Sequence, residues 1–337
     1  VKNKVIRFLL IILLFTFTSV GYSQDPQFSQ FYANSLYLNP AFAGRDMSPR
    51  FHSGYRNQWP GLDAYVTYNI EYDQFSKDLH GGIGFQFLYD KTGGGVLNTG
   101  VFAGCYAYQL QINRNWSLNF GFKGAFVQKS LNFNLATFGD QFDNSRGQIY
   151  STNQQQGNNS SYFDFGSGLI LYSENLFGGV SFNHLTRPSE SLYFNSNNDT
   201  RIPIRSTIHG GYKVRVLKNG LFHKELFVAP NILLDFQSNF KQINFGSYFL
   251  DGIYGFGIWY RHTSFSIPNG GGIALQDGLI LMGGIETSTM RICYSYDLSL
   301  SSMVSAAPGS HEISITFDLP EIHKPGKQFR VIQCPMF

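Results

Sequence analysis

Apolar and polar residues alternate one for one along this chain, over stretches far longer than an ordinary strand. In Ala64–Asp73 the positions Ala64, Val66, Tyr68, Ile70 and Tyr72 alternate with Tyr65, Thr67, Asn69, Glu71 and Asp73. Met290, Ile292, Tyr294, Tyr296 and Leu298 alternate with Arg291, Cys293, Ser295, Asp297 and Ser299, and Ile313, Ile315, Phe317 and Leu319 with Glu312, Ser314, Thr316 and Asp318. Period-2 patterning marks a strand with one apolar and one polar face. A soluble sandwich shows it too, so length and composition decide. Many stretches run 10–16 residues, where about five or six is usual, and aromatics recur on the apolar face. Apolar-out, polar-in strands of that length fit an outer-membrane barrel, whose closure removes every sheet edge. Beyond residue 23 no window holds about 18 consecutive apolar residues, which excludes helical spans.

This rule predicts an all-β transmembrane barrel of about fourteen antiparallel strands, near 48–59, 62–75, 79–90, 96–112, 115–130, 161–173, 176–186, 204–217, 224–236, 239–250, 252–263, 273–287, 289–299 and 310–319. Every connection longer than six residues then falls on one side. That matches barrels with short periplasmic turns and long outer loops, an even strand number and both termini in the periplasm. Miscounting by one hairpin would preserve this parity, so twelve or sixteen strands satisfy it equally.

Composition agrees once the first residues are set apart. Charged residues make up 14% of the chain and aromatics 17%, against roughly 25% charged in ordinary domains. Lys2, Lys4 and Arg7 precede the apolar run 8–17, and Gly21 and Ser23 place small residues before Gln24. Residues 1–23 therefore read as a signal peptide. Its three basic residues account for the whole net charge of +3, leaving 22 basic against 22 acidic residues. A basic nucleic-acid footprint is absent.

The chain divides into the signal peptide, a lead-in or plug at 24–47, the barrel at 48–319 and a periplasmic tail at 320–337. In the plug, Phe28, Phe31 and Tyr32 fit one face of a short helix that Asn39-Pro40 would interrupt. The tail carries Lys324, Lys327, Arg330, Cys334 and Phe337 as a candidate periplasmic docking element. Alternation turns Arg56, Glu71, Arg291, Asp297 and Glu312 toward the lumen as a candidate charge network, holding either the plug or a cargo segment. First and last strands are neighbours at closure, which makes Glu312 a candidate partner of Arg56. A purely structural ion cluster at the seam is the simpler reading of these residues.

The stretch 24–44 (QDPQFSQFYANSLYLNPAFAG) resembles the opening of the PorP/SprF family. Tyr55-Arg-Asn-Gln-Trp-Pro60, Phe138-Gly-Asp-Gln-Phe142, Ser295-Tyr-Asp297, Gly309-Ser-His-Glu312 and the ending Cys334-Pro-Met-Phe337 are similar to that family as well. The resemblance spans the chain from residue 24 to its end. It implies an outer-membrane component of the type IX secretion system of Bacteroidetes, working with secretion and gliding machinery. It also implies support for export or surface attachment of large adhesins through their C-terminal domains. No catalytic residues come with it.

Other chemistry has little to stand on. His209, His262 and His311 are candidate bases for a barrel hydrolase, but no spacing pairs them with a serine, so the chain is not expected to be an enzyme. No cofactor is implied and no histidine pair has metal-ligand spacing. Asp140, Asp143 and Asn144 match no calcium loop and read as polar loop. Cys105, Cys293 and Cys334 leave one thiol over, with Cys334 a candidate for an intermolecular link. The expected surroundings are outer-membrane lipid, a secreted cargo protein and other secretion components. The loops 131–160 and 187–203 are candidate cargo surfaces. A channel or transporter for small or hydrophobic solutes is the alternative, since fourteen strands leave a lumen wide enough to need a plug.

Overall fold

The computed structural model describes residues 25–46, 48–143, 147–148, 151–152, 159–192, 201–217, 225–266, 273–300 and 309–320. The expected signal peptide 1–23, the tail residues Lys324, Lys327, Arg330, Cys334 and Phe337, and parts of both long loops lie outside them.

Fourteen strands build the wall: β1 (Arg50–Gln58), β2 (Tyr65–Ser76), β3 (Gly81–Thr92), β4 (Leu97–Gln111), β5 (Ser117–Leu131), β6 (Ser160–Tyr172), β7 (Leu176–Asn183), β8 (Arg205–Tyr212, continued by Val214–Leu217), β9 (Leu226–Gln237), β10 (Phe240–Asp251), β11 (Tyr254–Ser266), β12 (Ile273–Glu286), β13 (Met290–Ser299) and β14 (Gly309–Asp318). Each pairs antiparallel with its sequence neighbours, and β1 pairs with β14, so the sheet closes on itself. A two-residue hairpin, Phe142–Asp143 with Gly147–Gln148, stands apart from it. The expected closed antiparallel barrel of fourteen strands is therefore the observed one.

The faces follow the alternation. Phe163 is 67% exposed on the outer wall, while its neighbour Asp164, turned inward, is 3% exposed. On β2, Tyr68 and Ile70 lie outward and Thr67, Asn69, Glu71 and Asp73 are buried. Water as the outer solvent would favour the reverse arrangement; hydrocarbon outside and protein inside accounts for this one. Among the described residues no helix is long and apolar enough to cross a membrane, so the crossing is made by strands.

The two longest connections, 132–159 and 184–204, share one mouth of the barrel. The opposite rim carries the turns 77–80, 112–116, 173–175, 252–253 and 287–289, together with a longer link, 218–225, that departs from the expected limit of six residues.

The lumen is filled by residues 25–46, and their course corrects the placement of the N-terminal end on the short-turn side. Asp25 meets His184, Arg205 and Gln237. Those residues flank the 184–204 loop and end β9, all at the long-loop mouth. From there the segment descends to Gly44, which donates to Asp73 near the short-turn rim, and continues into β1. The predicted helix through Phe28, Phe31 and Tyr32 does not form. The only α-turn of the segment is α1 (Ser35–Leu38), followed by a 3-10 turn, Pro40–Phe42, whose Ala41 N–H is capped by the Asn39 side chain at 2.9 Å. Proline at the first position of that turn sacrifices no hydrogen bond.

Candidate functional site: the plugged lumen

The candidate site is the contact between this segment and the inner wall. The wall facing the seam (β13, β14, β1 and β2) holds it through carboxylates. Glu312 accepts the Ser29 and Gln30 backbone N–H groups at 2.6 and 3.3 Å and the Asn34 amide at 3.2 Å. Glu71 accepts the N–H groups of Leu36 and Tyr37, both at 3.2 Å, satisfying donors that the short helix α1 leaves open. Asp73 accepts from Gly44 at 2.9 Å. Each carboxylate is backed by an arginine. Arg56 lies 3.3 Å from Glu312, and Arg50 lies 3.4 Å from Glu71 and 2.6 Å from Asp73. A buried carboxylate needs such partners to stay ionised, and an ionised carboxylate makes the stronger acceptor for backbone amides.

The five residues expected to form one network fall into three groups. Arg56 and Glu312 face each other in register across the β1–β14 seam, and Asp297 joins them at 3.4 Å from Arg56. Arg261 completes this group at 2.5 Å from Asp297 and donates to the Phe28 carbonyl at 3.1 Å. Glu71 belongs with Arg50 and Asp73 nearer the short-turn rim. Arg291 makes its ion pair with Asp318 at 3.1 Å, beside Arg50 at the short-turn rim but with none of the other expected residues. Asn34 links the first two groups, because its carbonyl oxygen is shared by His52 and Asn69 while its amide reaches Glu312. Arg50, Asp73 and Arg261 were missed, yet strand parity was enough to place each of them inward.

Opposite the seam the contact is aromatic. Phe31 and Tyr32 pack on Trp259 at ring separations of 4.9 and 6.2 Å, and Phe42 stacks on His209 at 5.4 Å. Tyr248, Phe177, Tyr172 and Leu233 belong to the same cluster. Phe28 stands apart from Phe31 and Tyr32, edge-on to Tyr37 at 5.0 Å. The lower half of the segment lies directly on bare backbone. A Cβ at Gly121 would overlap the Ala41 backbone, and one at Gly168 would overlap the Asn39 side chain. Glycine in these strands is therefore a packing requirement.

At the long-loop mouth, His184 sits between two carboxylates, with Nε2 2.8 Å from Asp25 and Nδ1 2.8 Å from Asp164. Burial disfavours its imidazolium, but the two acids more than offset this and raise its pKa to about 9. Burial would likewise raise the Asp25 carboxyl; His184 and Arg205 instead hold it well below the ordinary range. Arg205 also makes a fork to Asp235 and donates to the Tyr37 hydroxyl at 2.7 Å.

The remaining titratable candidates are scattered. His209 is buried beside Asn39, whereas His262 pairs with Asp277 at 2.7 Å and His311 with Tyr294 at 2.8 Å on the outer wall. Asp140 accepts from Thr152. Cys105 and Cys293 are free thiols. Among the described residues no cluster of His, Cys, Asp or Glu is arranged to hold a metal.

Residues 20–317 match the family model described as type IX secretion system membrane protein PorP/SprF. The chain belongs to the PorP/SprF family. The match covers residues 25–46 and all but the last residue of the wall, so in this PorP/SprF chain plug and barrel lie within one family unit. No curated protein matches the chain. Among solved structures, the outer membrane protein Omp33 of Acinetobacter baumannii is similar at 7% identity and a TM-score of 0.44, covering 82% of this chain and 100% of that one. A FadL homologue of Pseudomonas aeruginosa gives 10% and 0.39, covering 81% and 89%, and the KdgM porin 7% and 0.36, covering 80% and 99%. Similarities this low add nothing to the strand pairing itself.

Proposed function

We propose that this outer-membrane barrel supports export or surface attachment of a secreted cargo protein, such as a gliding adhesin, within a type IX secretion system of Bacteroidetes. In this reading residues 1–23 direct its export and are removed. The long-loop mouth receives the cargo's C-terminal domain, and the 320–337 tail meets periplasmic components. The barrel performs no catalysis and needs no cofactor.

The observation that supports this best is the filled lumen. A general porin needs a continuous aqueous path, and here residues 25–46 are held from one mouth to the other by buried ionic, backbone and aromatic contacts. A barrel closed in this way suits docking at its ends better than conduction. The deciding experiment is deletion of the gene. Loss of one surface adhesin, with permeability to small and hydrophobic solutes unchanged and the adhesin co-purifying with the barrel, is the expected result. Normal adhesin display with reduced solute uptake would establish the transporter instead.

A further inference from the structure

A cavity of about 80 Å³ lies between the plug and strands β10 and β12–β14, toward the short-turn rim. Three guanidiniums line it, Arg45 from the plug, Arg50 from β1 and Arg291 from β13. Among the described residues its lining holds no carboxylate. The acids that pair with these arginines lie outside that lining. Asp46 is 3.3 Å from Arg45, Asp73 and Glu71 are 2.6 and 3.4 Å from Arg50, and Asp318 is 3.1 Å from Arg291.

Those acids leave the cations acting on one another. The charge felt most strongly by Arg291 is the guanidinium of Arg45, ahead of the carboxylates of Asp318 and Glu286, and Arg50 adds to the repulsion. All three cations also act on buried His52, whose Nδ1 lies 2.9 Å from the Thr316 hydroxyl in the lining. Arg291 holds Asp318 through a terminal nitrogen, while its buried Nε–H makes no hydrogen bond. The neutral polar groups of the lining are engaged with each other or with the wall: Ser314 donates to the Gln30 side chain, whose amide reaches Ser295 and the Glu312 carbonyl. What the cavity offers a ligand is therefore positive charge and guanidinium N–H donors. Like charges gathered in a partly buried site call for a counter-charge between them.

We propose that this cavity binds a phosphate group. Its oxygens accept from the Arg45 and Arg291 guanidiniums, and Arg50 behind them adds a third positive charge. Guanidinium forks match the oxygens of phosphate, and a tetrahedral anion accepts from several directions where a planar carboxylate serves fewer. A cavity of this size has room for several waters, or for one such oxyanion. The phosphate belongs either to free phosphate or to the phosphodiester of a lipid headgroup. The proposal stands independently of the secretion role, because it rests on the cavity and its three guanidiniums.

Phosphorus NMR on the full-length barrel in phosphorus-free detergent micelles, at constant ionic strength, tests it with inorganic phosphate as probe. The phosphate line should broaden with the barrel and not with micelles alone, and equimolar acetate should leave the broadening in place. Arg291→Gln should weaken binding about ten-fold, as expected for the loss of a charge-assisted donor. Glycerophosphoethanolamine separates the two sources. If it reverses the broadening, the site takes a lipid headgroup; if the broadening persists, it takes free phosphate. Absence of broadening, its reversal by equimolar acetate, or an unchanged affinity in Arg291→Gln would mean a solvent-filled void or an unselective cation cluster and overturn the proposal. If Arg291→Gln fails to assemble, Arg45→Gln should bring the same loss of binding, and unchanged binding there overturns it equally.

Discussion

The plug touches two chemically opposite walls. Toward the seam it presents backbone amides and short polar side chains to carboxylates backed by arginines; toward β6–β11 it presents Phe31, Tyr32 and Phe42 to Trp259, Phe177 and Tyr248. The aromatic wall buries area, a contribution that tolerates small shifts. The seam wall is directional, since a displaced amide leaves a buried carboxylate without its donor. One wall therefore supplies adhesion and the other fixes position. The positioning wall is also where the first and last strands meet, so plug seating and barrel closure depend on the same residues.

The comparison breaks most severely at Glu312. Glu312→Lys would bury two cations side by side and strip three donors of their acceptor, at a cost of about 3–5 kcal/mol or more. Urea unfolding of the purified barrel, followed by its shift on unheated gels, should show the loss. Combining it with Arg56→Glu should recover only part of the stability, because a lysine at that position cannot accept the Ser29 and Gln30 amides. Full recovery would mean that the ion pair matters and the plug contact does not.

Trp259→Ala probes the opposite wall. The cavity it leaves should cost about 3 kcal/mol in the same unfolding assay, while exchange protection of the Leu36 and Tyr37 amides persists. Simultaneous loss of that protection would show the two walls acting as one unit.

A smaller effect is expected at the mouth and depends on pH. The folded-state pKa of His184, about 9, lies above its ordinary value of 6.5. Its contribution is therefore complete below about pH 6.5 and lost as pH rises through about 9. A spin label at Gln27→Cys should gain mobility between pH 7 and 10, whereas in His184→Gln it should already be mobile at pH 7. Immobility throughout would mean that Asp25 is held by Arg205 alone. The smallest change should follow Arg291→Gln. Its pair with Asp318 is partly exposed, at 18% and 20%, and is worth under about 1 kcal/mol. A loss as large as that at Glu312 would put Arg291 back into the seam group.

Much of this architecture was legible from residue parity. Alternation assigned Phe51 and His52 to opposite faces, and strand length with aromatic outer positions separated a membrane barrel from a sandwich. The pairing of Arg56 with Glu312 could be anticipated because closure makes the first and last strands neighbours whatever their tilt. What parity does not carry is height. Arg291 and Asp297 share a face of β13, yet six positions along the strand separate them, and each meets a different partner. The link from Asp297 to Arg261 crosses from β13 to β11 and depends on strand stagger, which alternation does not encode. The plug defied periodicity for a related reason. Its turns at 28–34 are set by contacts with the wall and not by an apolar stripe of its own, so a helical spacing of aromatics produced no helix.

The sequence by itself determined the faces of the wall, because a two-residue period is a local property that each strand carries alone. Only the tertiary structure decided the course of residues 25–46, with Asp25 at the long-loop mouth and Gly44 at the opposite rim. That course depends on amides, carboxylates and rings brought together from all around the barrel, and no local pattern records which of them will meet.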